Sequence, residues 1–226
     1  MSITPVISVV IDGIPLAGKT TLIENLKKLK DVDSNNQQQQ PCIYNFFKEP
    51  VESWIDEGWL EKYYSNIQKF ASSFQARVIL SHIEQRNHIE TINNNQISVN
   101  SSDSLKIVNI CERSAITTLE VFSSMLFNDG VLDEIEIRLH QQMIEMFKYK
   151  RPDILIYLDI DPEVAFNRNI KRMRKGESNI QLEYLCKLKN AYLSNLSKLA
   201  NKIIIIDGSD DELTILNKII EIFDKI

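Results

Sequence analysis

The sequence predicts an α/β fold, a parallel sheet covered by helices on both faces. Three observations carry that reading. Short runs of β-branched apolar residues recur along the chain, segments of helical period separate them, and the runs are apolar throughout rather than alternating. Continuous apolar strands are what burial on both faces demands, and strands that alternate with helices give parallel βαβ units.

The first strand is Val6–Ile11. Thr20–Lys30 follows as a helix with Leu22, Leu26 and Leu29 on one stripe, and Ile43–Phe47 is the second strand. A helix over Phe70–Glu90 sets Phe74, Val78 and Ile83 on one face. Leu105–Cys111 is the third strand, with helices within Ser114–Phe127 and Val131–Tyr149 behind it. Ile154–Asp159 and Ile203–Asp207 complete a five-stranded sheet. Helices within Pro162–Arg174 and Leu182–Ala200 lie between them, and Glu212–Phe223 closes the chain. Two polar stretches, Ser34–Gln40 and Asn93–Ser104, read as low-complexity surface loops. No repeat and no Pro/Gly-rich linker divides the chain, so residues 1–226 read as a single domain.

Composition bounds the function. With 43% hydrophobic and 25% charged residues, the 226-residue chain has the makeup of a folded globule. Its longest apolar runs, such as Ile203–Ile206, are far too short to span a bilayer, so no membrane association is expected. A net charge of −5 and a pI near 5.3 argue against nucleic acid as a partner but leave room for a local basic pocket. Cys42, Cys111 and Cys186 show no CxxC spacing and no histidine cluster, which argues against a zinc site or a disulfide framework. Met1–Asp12 carries neither a basic n-region nor an Arg/Ser-rich leader, and the expected location is cytoplasmic.

Between the first strand and the first helix stands Gly13-Ile14-Pro15-Leu16-Ala17-Gly18-Lys19-Thr20, a match to G-x-x-x-x-G-K-[ST] in the structural context that a phosphate loop requires. Its glycines let the backbone wrap a polyphosphate, and the loop amides and helix N-terminus face the negative charge. Lys19 reaches the β/γ-phosphates, and the Thr20 hydroxyl, with Thr21 beside it, faces Mg²⁺. Pro15 removes one N–H donor from the loop.

A phosphate loop fixes the nucleotide and leaves the reaction open. No N/T-K-x-D element follows Ile203–Asp207, which counts against a GTPase. A small-molecule kinase needs an acceptor pocket, a base and cations that close over the phosphates. Glu49 follows the second strand, at the end of the sheet where ligands gather, and on position alone it is either a proton acceptor or a helix-capping acid. Arg168, Lys171, Arg172, Arg174 and Lys175 place five cations in eight residues of an acidic protein, with Gly176 next to them. A solvated helix end would look similar. Behind a phosphate loop, an arginine-rich lid over about 168–180 is the favoured reading.

Glu49-Pro50-Val51-Glu52-Ser53-Trp54, Ser73-Phe74-Gln75, Cys111-Glu112-Arg113-Ser114 and Tyr157-Leu158-Asp159-Ile160-Asp161-Pro162-Glu163 follow the loop in order. With the lid pattern Arg168, Arg172, Arg174 and Glu177, they resemble the deoxynucleoside kinase family, which includes mitochondrial thymidine kinase, deoxycytidine kinase and deoxyguanosine kinase. The resemblance covers roughly residues 6 to 207. It implies a P-loop kinase fold and transfer of the γ-phosphoryl of Mg·ATP to the 5′-hydroxyl of a 2′-deoxynucleoside. By the same resemblance Glu49 is the general base, Gln75 pairs with the nucleobase edge, Phe74 and Phe122 sandwich the base, and Trp54 is a pocket wall. Arg113 neutralises phosphate near the acceptor oxygen, Glu112 and Thr20 serve Mg²⁺, and Arg172 and Arg174 hold ATP. Tyr64 and Glu177 contact the sugar 3′-hydroxyl, with Tyr63 as a competing assignment. The family forms homodimers through a helix pair, here near Phe70–Glu90 and Ser114–Phe127.

Family members that accept cytidine or purines carry an Arg/Asp pair where this chain has His82 and Thr118. Its absence and the match at Val78 lean toward thymidine. Thr118 leaves room for a 5-methyl group, and His82 is either a base contact or a satisfied helix histidine. A thymidylate-type monophosphate kinase would need extra arginines on the acceptor side, where Glu49–Leu80 offers only Arg77. A non-catalytic assembly subunit would show losses at Lys19, Glu49 or Arg113, and all three are present.

Overall fold

The computed structural model describes residues 4–33, 42–99, 105–172 and 180–225. Five parallel strands form one sheet: β1 Val6–Asp12, β2 Cys42–Phe47, β3 Lys106–Glu112, β4 Ile154–Asp159 and β5 Lys202–Asp207, in the order β2-β3-β1-β4-β5. Each coincides with a predicted strand to within a residue at either end. The apolar runs are continuous for the predicted reason, since Val9, Val10 and Ile11 of β1 are all buried although neighbours point to opposite faces. The register sets Ile11 beside Glu112, Asp12 beside Tyr157 and Phe47 beside Cys111, so the carboxyl ends of the strands lie level. Loops leaving those ends converge, which is where open parallel sheets hold ligands.

Helix α1 (Lys19–Asp33) leaves the phosphate loop. Two short helices not anticipated from the sequence, α2 (Val51–Asp56) and α3 (Trp59–Ser65), follow β2 and are separated by Gly58 in the left-handed region. Then comes α4 (Ile67–Val99), longer than predicted at both ends. Its last turns correct the expectation that Asn93–Ser104 is a loop, because Asn93–Val99 is helical. The reason is tertiary. The Asn45 amide of β2 exchanges hydrogen bonds with Gln96 (3.0 and 2.9 Å) and donates to Asn109 of β3 (3.0 Å), so these polar side chains dock the helix on the sheet. Residues 100–104 and the predicted loop Ser34–Gln40 lie outside the described residues.

The helix expected within Ser114–Phe127 is three segments: α5 (Ala115–Thr117), a π-helical turn (Thr118–Ser123) and α6 (Ser124–Asn128). Next, α7 (Glu134–Met146) opens with a capping box, Asp133 accepting from the Glu136 amide and Glu136 from the Asp133 amide. Finally α8 (Pro162–Arg172), α9 (Leu182–Leu199) and α10 (Glu212–Phe223) match the predicted helical segments. Of the lid pattern, Arg168 lies on α8 and Arg172 is its last residue, while Arg174 and Glu177 lie outside the described residues. No helix among the described residues is long and apolar enough to cross a membrane.

Candidate active site

A cleft of about 570 Å³ opens at the carboxyl ends of β1, β2 and β3. One half is the phosphate loop. Gly13 has φ 149°, and a Cβ there would stand 2.7 Å from the Leu158 carbonyl oxygen, so only glycine lets β1 turn this close to β4. Gly18 (φ 95°) and Leu16 (φ 68°) also take left-handed conformations. For Leu16 that strain costs about 1–3 kcal/mol. Its carbonyl is held by Arg168, whose Nη1 donates to it at 3.1 Å, so a residue of the predicted lid braces the loop.

Pro15, Leu16, Ala17, Gly18, Lys19, Thr20 and Thr21 line the cleft. Gly13 and Ile14, expected with them, do not. The Gly13 amide is already committed to Asp12 Oδ1 (2.8 Å), and the two carbonyls accept from Lys19 Nζ at 3.2 and 3.0 Å. Burial, and then the nearby Arg113 charge, lower the Lys19 pKa to about 8. An ammonium held by two carbonyls in such a setting is poised to exchange them for phosphate oxygens.

The other half is built by β2, α4 and β3. Arg113 follows β3 with φ 60°, a left-handed arginine that only a dense set of contacts can hold. Its Nη1 donates to both Glu49 oxygens (3.2 and 3.0 Å), its Nη2 to the Gly13 carbonyl (3.1 Å), and its Cζ lies 5.0 Å from the Phe122 ring centre. The fork therefore joins the predicted base to the predicted phosphate loop. Burial opposes its charge, but Glu49 leads the groups that raise the Arg113 pKa well above the ordinary value, and the guanidinium stays ionised. The Thr20 hydroxyl donates to Glu112, 3.0 Å from each oxygen. Burial pushes the Glu112 carboxyl upward, with Lys19 pulling against it.

Trp54, Tyr64, Phe74, Gln75, Val78, Thr118, Phe122 and Arg172 all line the cleft, as expected. Phe74 meets Trp54 edge-on (5.8 Å) and Tyr63 at 4.8 Å, and Trp54 Nε1 donates to Ser81 at 3.0 Å, so the aromatic wall is fixed by its own packing. Tyr63 and Tyr64 both reach the cleft, Tyr63 the more deeply buried. His82 departs from the expectation. It is buried behind the cleft wall, with Nε2 4.0 Å from Glu49 Oε1 and neither ring nitrogen hydrogen-bonded among the described residues. Burial, and then Arg113, lower its pKa to about 4, so the ring is neutral near pH 7.

Three participants had no sequence argument. Asp12, the last residue of β1, is fully buried and accepts from Gly13, Arg113, Thr117 and Tyr192. A carboxylate at the end of an apolar strand, next to the loop glycine, was the available signal. Tyr184 of α9 lines the cleft and Tyr192 lies beneath it, each far along the chain from the loop.

The sequence model of the deoxynucleoside kinase family matches residues 9–226. Protein 143R of Invertebrate iridescent virus 6 is 30% identical over 201 residues, 88% of this chain and 88% of that protein. The deoxyadenosine kinase of Dictyostelium discoideum is 28% identical over 200 residues, 88% of this chain and 70% of its own length. The solved structure of deoxyadenosine kinase from M. mycoides matches with a TM-score of 0.68 at 20% identity, covering 97% of this chain and 100% of that one, and the two share the P-loop kinase fold.

Proposed function

Because the chain belongs to the deoxynucleoside kinase family, we propose that it transfers the γ-phosphoryl group of Mg·ATP to the 5′-hydroxyl of a pyrimidine 2′-deoxynucleoside, thymidine first. The observation that carries this is the Arg113 fork, which donates to Glu49 and to the carbonyl of the first loop glycine at once. Acceptor base and donor cradle thus meet at one guanidinium. Glu49 takes the hydroxyl proton, the 5′-oxygen bonds to the γ-phosphorus, and the bond from that phosphorus to the ADP oxygen breaks. Lys19, Arg113 and the first N–H groups of α1 face the charge that spreads over the transferring group.

Thr20 and Glu112 fit Mg²⁺, since a hydroxyl and a carboxylate are hard oxygen donors and this ion binds few protein ligands beside phosphate and water. Bound there, the ion would neutralise phosphate charge. No cluster of three or more His, Cys, Asp or Glu among the described residues offers a protein-only cage. Val78 and Thr118, short side chains on the cleft wall that Gln75 shares, support a pyrimidine with a 5-substituent. The test is a Mg·ATP assay across the four natural deoxynucleosides, uridine and thymidine monophosphate. Thymidine turned over best is the expected result; turnover of the monophosphate alone, or of none, overturns the reading.

We also infer a homodimer, through α7 rather than Ser114–Phe127, most of which is interior. Ile135, Leu139 and Met146 are 79, 50 and 75% exposed and share one stripe of α7. Leu139→Glu should yield a monomer in sedimentation; a chain already monomeric refutes the interface.

A further inference from the structure

Asp12 has more hydrogen-bond donors converging on it than any single structural task requires. Its Oδ1 accepts from the Gly13 amide (2.8 Å), the Tyr192 hydroxyl (2.7 Å) and Arg113 Nε (3.4 Å), and its Oδ2 from the Thr117 hydroxyl (2.6 Å). These donors come from the phosphate loop, α9, the turn after β3 and α5, and the carboxylate is wholly excluded from solvent. A buried charge is tolerated when every lone pair is used, and here the used lone pairs all aim at the catalytic arginine and what surrounds it.

Arg113 therefore bridges two carboxylates, Glu49 in the cleft and Asp12 behind it. The difference between them matters during transfer. When Glu49 accepts the proton of the acceptor hydroxyl it becomes neutral, and Arg113 loses its partner on the cleft side. Asp12 lies behind the guanidinium, does not line the cleft and takes no part in that proton transfer. We infer that Asp12, held by the Tyr192 hydroxyl, is a positioning residue that keeps the Arg113 guanidinium in place through phosphoryl transfer while Glu49 changes its protonation. The tyrosine is braced in turn. Its ring lies 5.3 Å from Tyr157 and 6.2 Å from Phe122, and Phe122 is the ring over which Arg113 sits. Tyr192 thus fixes Arg113 from two sides, through a carboxylate and through an aromatic face.

The inference rests on Arg113 acting in the reaction as proposed above, and a double-mutant cycle separates the two claims. Tyr192→Phe removes one oxygen and leaves the ring packing, so it should fold. It should lower kcat about 10-fold while KM for ATP and for the deoxynucleoside moves less than about 2-fold. Asp12→Asn, which removes the charge, should lower kcat about 100-fold. In an Arg113→Lys background, where the shorter cation cannot span both carboxylates, Tyr192→Phe should cost less than about 2-fold further. A purely structural tyrosine would give losses that multiply, or a change in KM equal to that in kcat, and either result overturns the inference. Should Arg113→Lys itself leave kcat unchanged, the role proposed for Arg113 fails and the positioning claim with it. A normal loss at Arg113→Lys with full activity in Tyr192→Phe would sink the positioning claim alone.

Discussion

The Lys19 ammonium supplies a quantitative test of the donor site. In the free protein its pKa is about 8, lowered first by burial and then by Arg113. Polyphosphate oxygens in place of the Gly13 and Ile14 carbonyls would restore the charged form and return the pKa to the ordinary lysine range or above. ATP then binds the protonated lysine. At pH 7 about nine-tenths of the free protein carries that proton, and at pH 9 about one-tenth, so affinity should fall about 10-fold across this interval, or about 1.4 kcal/mol. Near pH 8 binding should draw about half a proton from solution. Isothermal titration of ATP at pH 7, 8 and 9, in two buffers of different ionisation enthalpy, measures both quantities. Lys19→Arg, whose guanidinium does not titrate in this range, should bind ATP with a flat profile and no proton uptake. A flat profile in the unmodified protein, or the same slope in both proteins, would refute the assignment of Lys19 to the phosphates.

Three further outcomes are expected. Glu49→Gln should lower kcat by about 100-fold or more while ATP affinity stays nearly intact, read by steady-state kinetics and nucleotide binding; undiminished turnover removes Glu49 as the base. Gln75→Ala should raise KM for the deoxynucleoside and spare KM for ATP, and equal loss of both contradicts its role at the acceptor. His82 is neutral when folded down to a pKa of about 4, with Arg113 and Glu49 as its charged neighbours, whereas in the unfolded chain it titrates near 6.5. The unfolded state binds the extra proton between these values, so stability falls as pH drops through that window, by about 2 kcal/mol between pH 7 and pH 5. His140, whose pKa burial also lowers, contributes to both proteins. Urea unfolding of the protein and of His82→Met at both pH values should therefore show a loss about 2 kcal/mol larger where His82 is present.

Much of this was legible because the informative residues are local. Ile154–Asp159 was bounded to the residue, since a continuous apolar run ends where Arg151-Pro152 and Ile160-Asp161-Pro162 begin. The phosphate loop announces itself by glycine spacing, and Glu49 and Arg113 by their places just beyond strand ends. What was missed depends on distance along the chain. Asn93–Val99 looks like a polar loop until Asn45 and Asn109, from two strands, supply its amide partners. α2 and α3 are short, and their burial rests on packing against α4 rather than on a long periodic stripe. Tyr192 stands 180 residues from Asp12, with no local pattern that pairs a tyrosine with a strand-ending aspartate. His82 shares a helix face with Gln75 and Val78, but helical phase alone does not say which of the three ends in the cleft and which behind it.

The π-helical turn at Thr118–Ser123 lets one short stretch serve two directions. Thr118 and Phe122 face the cleft, while the Ser123 hydroxyl sits 3.1 Å from His140 Nδ1 on α7, whose other nitrogen meets the Ser72 carbonyl of α4. Such a turn holds one residue more than an α-helical turn, and an α-helix advances about 100° per residue. Because the wide turn absorbs that residue, deleting one there would restore ordinary helix with the segment beyond it still in phase, and the side chain lost would come from the turn that lines the cleft. Chain length is thus a lever on this wall: gaining or losing a single codon changes which side chains the turn presents to the cleft, without moving the helix beyond it.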